Sequence, residues 1–123
     1  MTGVLVVDGA NVVGSRPDGW WKDRAGAARR LHERLLVADT SYDEIVLVLE
    51  GAARGGVKAG RDGHVLTVHA SRDGDSEIVR LAEQVATEGS RCTVVTADRV
   101  LAGLVGARGA LVMGPSWLLD QLD

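Results

Sequence analysis

Val4-Leu5-Val6-Val7-Asp8-Gly9-Ala10-Asn11 is an apolar run, mostly β-branched, that stops at a carboxylate and passes at once into glycine. Runs of this kind recur along the chain. Ile45-Val46-Leu47-Val48-Leu49 ends on Glu50, and Cys92-Thr93-Val94-Val95 is followed after a short turn by Asp98. Short β-branched runs separated by helical patterns argue for βα units and a mostly parallel sheet. Asp8 then stands at the carboxyl end of a strand, where an open α/β sheet binds its ligands. Gly9 permits a tight turn and close approach of a ligand to the backbone. Asn11 is suited to orient a water or to hold Asp8 by hydrogen bonding. The plainer alternative is that Asp8 caps the turn and Asn11 is a turn residue.

Working outward, five strands are expected: Val4–Val7, Glu44–Leu49, His64–Ala70, Arg91–Thr96 and Ala110–Met113. A helix is predicted from about Asp23 to Ala38, with Ala28, Leu31, Leu35 and Ala38 on one face and Arg29, Arg30, Glu33 and Arg34 on the other. A second starts near Asp75, turns Ile78, Leu81, Ala82 and Val85 inward, and stops at Gly89. A short helix spans Arg99 to Val105. Pro115 opens a last one that Trp117, Leu118 and Leu122 pack on the sheet. The Gly-rich stretch 51–63 reads as a long loop. The expected architecture is a three-layer α/β sandwich, one domain over residues 1–123.

Composition agrees with that size. The chain has 123 residues, 46% of them hydrophobic and 25% charged, a profile that suits one folded core. A net charge of −3 argues against a generically basic nucleic-acid coat protein. It does not exclude a nuclease, whose site is acidic and whose substrate contacts are local. Cys92 is the only cysteine, so no intramolecular disulfide forms, and a reducing cytoplasm is the expected location. Met1-Thr2-Gly3-Val4 lacks the basic region of a signal peptide, and no apolar stretch reaches membrane-spanning length.

The chemistry lies in the acids. Asp8, Glu50, Asp75 and Asp98 are expected at one sheet edge, where they repel one another unless a cation or shared protons neutralise them. That points to a Mg²⁺- or Mn²⁺-dependent enzyme acting on a phosphate ester. Each acid has a plainer role open to it. Asp75 and Asp98 can cap helices, with Asp73 and Glu77 as substitutes for Asp75, and Glu50 can pair with Arg54. Arg54, Lys58 and Arg61 on the Gly-rich loop, with Arg16 and Lys22, are candidates for phosphate contacts or are ordinary solvated charge. Trp20-Trp21 cannot both face one stripe, so one packs inward and the other is left for base stacking or a homodimer contact. His32, His64 and His69 show no zinc spacing, and phosphate-loop, dinucleotide and nucleophile-elbow motifs are missing.

Val7-Asp8-Gly9-Ala10-Asn11, Gly74-Asp75-Ser76-Glu77-Ile78 and Thr96-Ala97-Asp98-Arg99 together resemble, in order and over nearly the whole chain, the YacP-type NYN domains of the PIN-like nuclease superfamily. The resemblance implies a Rossmann-like sheet of order 3-2-1-4-5, divalent metals and endoribonuclease activity. Residue by residue it makes Asp8, Asp75 and Asp98 metal carboxylates and Asn11 their polar companion, and Arg99 joins the candidate substrate cations. Glu50 stands where such domains often place Asp. The expected reaction is hydrolysis of RNA by metal-activated water. Two rivals are a catalytically weak RNA-binding module and a metal-dependent nucleotide hydrolase or phosphatase. Ala10, two residues after Asp8, argues against the usual aspartyl-phosphate route.

Overall fold

The structure is a computed structural model that describes residues 3–123; Met1 and Thr2, on which the reading of the N-terminus partly rests, lie outside the described residues. In chain order its first elements are β1 (Gly3–Asp8), α1 (Gly9–Val13), α2 (Arg24–Val37), β2 (Glu44–Leu49) and β3 (Gly60–Asp62). Then follow β4 (Val65–His69), α3 (Gly74–Thr87), β5 (Arg91–Val95), α4 (Arg99–Gly106), β6 (Leu111–Met113) and α5 (Pro115–Leu122). Short 3₁₀ turns occupy Trp20–Lys22 and Gly51–Gly56. Among the described residues no helix is long and apolar enough to cross a membrane.

The sheet has six strands in the order β3-β4-β2-β1-β5-β6. All neighbours are parallel except β3 and β4. Its five parallel strands keep the expected order 3-2-1-4-5, and β3 is an addition at the edge. The stretch 51–63 is therefore not a structureless loop. β3 turns back on β4 through Gly63, whose φ of 59° lies in the left-handed region. Its residues are all exposed and carry no apolar alternation, which is why the hydrophobic pattern does not reveal it.

Alternation along the strands builds two cores, one on each face of the sheet. Val4, Val6, Val46, Val48 and Val94 pack with Ile78, Leu81 and Val85 of α3 and Leu101 and Val105 of α4. Leu5, Val7, Ile45 and Leu47 pack with Leu31 and Leu35 of α2 and Leu118 of α5. Fully burying an aliphatic side chain of this size stabilises by about 1.5–3 kcal/mol. Because the side-chain period is two, the even-numbered face of β1 continues to Asp8 and that of β2 to Glu50, while Thr96 extends the series Cys92, Val94. The strand pattern thus commits all three polar groups to the α3–α4 face. Burial among apolar neighbours pushes the Cys92 thiol up to about 11, so it is an inert core group.

Helix starts follow from capping. Asp23 accepts from Gly26 N at 2.9 Å and starts α2. The cap of α3 is Asp73, which accepts from Ser76 N at 2.7 Å. Asp75 therefore lies inside the first turn instead of capping it.

Glycine explains how the 3₁₀ turn Gly51–Gly56 sits on α2. A Cβ at Gly56 would overlap the carbonyl oxygen of Ala25, whereas at Gly103, on the exposed side of α4, it would meet nothing. Gly56→Ala is expected to cost about 1–3 kcal/mol through forced backbone shifts. Gly103→Ala is expected to add about 0.5–1 kcal/mol by helix propensity. Thermal melts of the two variants check this, with shifts of opposite sign.

Candidate active site

Asp8 is 6% exposed at the end of the central strand. Its Oδ2 accepts from the Thr96 hydroxyl at 3.0 Å, and its Oδ1 accepts a longer bond, 3.4 Å, from Asn11 N. The Thr96 hydroxyl in turn accepts from Asp98 N at 3.1 Å. Asn11 reaches across with its side chain, whose Oδ1 accepts from Ala97 N at 2.8 Å. Thus Asn11 holds Asp8 through its backbone amide, and its side chain ties α1 to the turn after β5. Thr96 is the residue the sequence reading passes over. Its place in Thr96-Ala97-Asp98-Arg99 was visible, but a threonine at a strand end has no distinctive signal.

Asp98 Oδ1 accepts from Val100 N and Leu101 N at 2.9 and 3.1 Å, so it caps α4. Glu50 Oε2 accepts from Gly74 N at 3.0 Å at the start of α3. It does not pair with Arg54, whose Nε donates to the Gly51 carbonyl at 3.1 Å. Of the three acids around the α3 start, Asp73 caps the helix and Glu77 is bound by Arg80 at 2.6 Å. Asp75 remains without a hydrogen bond or ion pair among the described residues.

The electrostatics tie these groups together. Burial raises the Asp8 carboxyl above the ordinary range, the bonds from Thr96 and Asn11 pull it back, and the charges of Asp75 and Glu50 push it further up. Asp75 is raised by partial burial and then by Asp98, Asp73 and Glu50. Asp8 therefore feels Asp75 and Glu50, and Asp75 feels Glu50 and Asp98, so the four acids, on four different elements or their ends, are linked through Asp75. Among the described residues no group of three or more His, Cys, Asp or Glu is drawn together tightly enough to hold a metal ion by itself. The donors are all carboxylate oxygens, and the Asp75 carboxylate is unengaged. That chemistry fits a hard cation that keeps several waters, such as Mg²⁺ or Mn²⁺, and does not fit zinc.

The candidate phosphate contacts are scattered. Arg61 pairs with Glu44 at 3.2 Å, at the opposite end of β2 from Glu50. Lys58 lines a groove with His32 and Asp62, and Arg99 is exposed in the first turn of α4. His64 and His69 bond the carbonyls of Leu35 and Val57 at 2.9 and 2.7 Å and are structural. The cations that do border the crevice are Arg24 and Arg72, which line a cavity with Glu50, Gly9 and Trp20. Both belong to elements whose helical or turn reading gave them no special place.

A mostly parallel sheet covered by helices on both faces, with carboxylates beyond its strand ends, makes the protein a three-layer α/β sandwich with an acidic crevice. The chain belongs to the YacP-like NYN domain family, whose profile matches residues 5–123. Among solved structures it is similar to Rae1 (YacP) from Bacillus subtilis, with a TM-score of 0.78 and 22% identity, over 97% of this chain and 72% of that one. A tryptophan-to-leucine variant of the same Bacillus subtilis protein matches at a TM-score of 0.76 and 20% identity, over 99% of this chain and 75% of that one. No curated protein sequence matches.

The raised carboxyls set a pH dependence. Asp75 titrates above its reference value of 3.8 in the folded chain, so folding takes up protons, and stability falls as pH rises through the window between the two values. In the absence of divalent ions, Asp75→Asn is expected to melt above wild type at neutral pH. The two should converge below about pH 4, where both states of wild type are protonated. Melting curves across that range check it.

Proposed function

We propose that the protein is a divalent-metal-dependent endoribonuclease that hydrolyses RNA phosphodiester bonds in the crevice of Asp8, Glu50, Asp75 and Asp98. The observation that carries this reading is the state of Asp8. A carboxylate buried at the end of the central strand, bonded by two donors and faced by further acids, is an arrangement that opposes folding unless a cation is to be held. The nuclease-type family of the chain supports the same reading.

Asp8, Asp75 and Asp98 are the proposed ligands of Mg²⁺ or Mn²⁺, with Glu50 acting directly or through water. A bound divalent ion supplies charge neutralisation and a water of lowered pKa. Thr96 and Asn11 hold Asp8 and the turn before Asp98 in place, so the carboxylates are fixed before substrate arrives. The acids serve as ligands, and no covalent enzyme intermediate is required. Arg54, Lys58 and Arg99 are secondary candidates for phosphate contacts, and Arg61, engaged with Glu44 far from Glu50, is left out.

Labelled single-stranded and structured RNA, incubated with Mn²⁺, Mg²⁺ or EDTA, tests the proposal. Cleavage is expected with either metal and none with EDTA. Asp8→Asn should reduce turnover on the order of 100-fold or more, since the metal's charge stabilisation amounts to several kcal/mol. Normal cleavage by Asp8→Asn would sink the mechanism. Tight binding without cleavage at any divalent concentration would make the protein an RNA-binding module, and cleavage confined to free nucleotides would make it a nucleotide hydrolase.

The same ions give a readout independent of turnover. Mg²⁺ or Mn²⁺ should raise the melting temperature of wild type and raise that of Asp8→Asn less, because a ligand bound only by the folded state stabilises it. An equal rise in both proteins contradicts the role of Asp8.

A further inference from the structure

Beside Glu50, between the start of α1, the first turn of α2 and the 3₁₀ turn Gly51–Gly56, lies a cavity of about 330 Å³. Gly9, Ala10, Gly51 and Ala52 form part of its wall, so the backbone is accessible there. The bulky groups facing it are Trp20, Arg24, Arg72 and Glu50. Arg24 Cζ lies 5.0 Å from the centroid of the Trp20 ring, a cation–π contact that fixes the guanidinium. Trp20 is half-buried, and Trp21, 52% exposed, meets it edge-on with the ring centres 6.0 Å apart. Neither Arg24 nor Arg72 forms an ion pair among the described residues.

A cluster of carboxylates repels a polyanion, so a nuclease with an acidic crevice needs compensating positive charge close by. The net charge of −3 means that the compensation has to be local. Arg24 and Arg72 are that local charge, since both share the cavity with Glu50. The cavity also offers what an unpaired base requires: an aromatic ring with a guanidinium held beside it. Its volume is at the lower end of small-molecule sites and suits one nucleotide. A base has to leave its stack to enter, which favours single-stranded RNA over a duplex.

We propose that this cavity is a nucleotide subsite next to the scissile phosphate, with the base packed against the Trp20–Arg24 pair and the adjoining phosphate between Arg24 and Arg72. The proposal rests on the ribonuclease reading above and specifies its substrate contacts. Trp20, Arg24 and Arg72 are then binding residues for RNA, and the carboxylates remain the reacting centre.

Binding of a short fluorescein-labelled single-stranded RNA to Asp8→Asn protein, read by anisotropy in Mg²⁺, tests it without turnover. Adding Trp20→Ala should weaken binding about tenfold, the loss of one stacked base, and Trp20→Phe should restore most of it. Adding Arg24→Gln and Arg72→Gln together should lower the slope of log affinity against log salt by about 0.7, from the one phosphate held between them on a single strand. Arg91→Ala, which removes one charge at the far end of the sheet, should change neither. One abasic position in the RNA should cost the same factor as Trp20→Ala, and nothing further once Trp20 is gone.

Affinity indifferent to Trp20, Arg24 and Arg72, or a flat abasic scan, overturns the subsite. Cleavage by the protein with Asp8 intact is scored separately. If cleavage is normal while binding ignores these residues, only the subsite fails. If binding depends on them while no cleavage occurs, the subsite stands and the ribonuclease reading fails. Circular dichroism of Trp20→Phe and of the double arginine variant shows that the fold is retained.

Discussion

The bond between the Thr96 hydroxyl and the buried Asp8 carboxylate is the contact from which the rest of the site hangs. It joins the end of β1 to the turn that follows β5. The same hydroxyl accepts the amide of Asp98, and Asp98 starts α4. Asn11 adds a second tie between the same two segments through Ala97. A hydroxyl that already accepts from an amide has its proton free for one acceptor, and a carboxylate oxygen is the strongest available. The Thr96 hydroxyl therefore meets the Asp8 carboxylate as its acceptor and partly offsets the cost of burying that charge.

That arrangement carries an electrostatic cost. Burial and neighbouring acids hold Asp8 and Asp75 above the ordinary carboxylate range, so both oppose folding at neutral pH. The two apolar cores make this tolerable. β1, β2 and β5 are buried on both faces, and the sheet does not depend on the polar edge for its cohesion. The acids that have ordinary structural tasks are satisfied: Asp73 and Asp98 cap helices and Glu77 meets Arg80. The repulsion falls mainly on Asp8 and Asp75, the two acids whose carboxyls are raised.

Much of this was legible in the sequence because strands buried on both faces are continuous apolar runs, and where such a run stops at Asp8 or Glu50 the sheet edge is marked. The order of the parallel strands and the extent of α2 from about Asp23 followed from resemblance and helical periodicity respectively. What escaped lacked such a signal. β3 is short and exposed on every residue, and its turn at Gly63 was hidden among other glycines. The cap of α3 fell between Asp73 and Asp75, which differ only in which carboxylate meets the amide of Ser76. Arg24 and Arg72 were missed because their neighbourhood depends on tertiary packing, the contact of α2 with the Gly51–Gly56 turn. Arg61, attractive by its place in a basic stretch, is carried to the other end of β2 by its pairing with Glu44.

The crevice has carboxylates where a metal-independent ribonuclease has a general base and acid for attack by the 2′-hydroxyl. His64 and His69 are engaged by backbone carbonyls, and Cys92 is buried and protonated. Attack by water, with the acids as ligands, is the route proposed for this crevice. The most direct measurement is mass analysis of the RNA products formed in ¹⁸O-labelled water. Attack by water is expected to leave linear phosphate ends carrying one labelled oxygen, with no cyclic intermediate at early times. Accumulation of 2′,3′-cyclic phosphate ends would contradict it, because the nucleophile would then be the RNA's own hydroxyl.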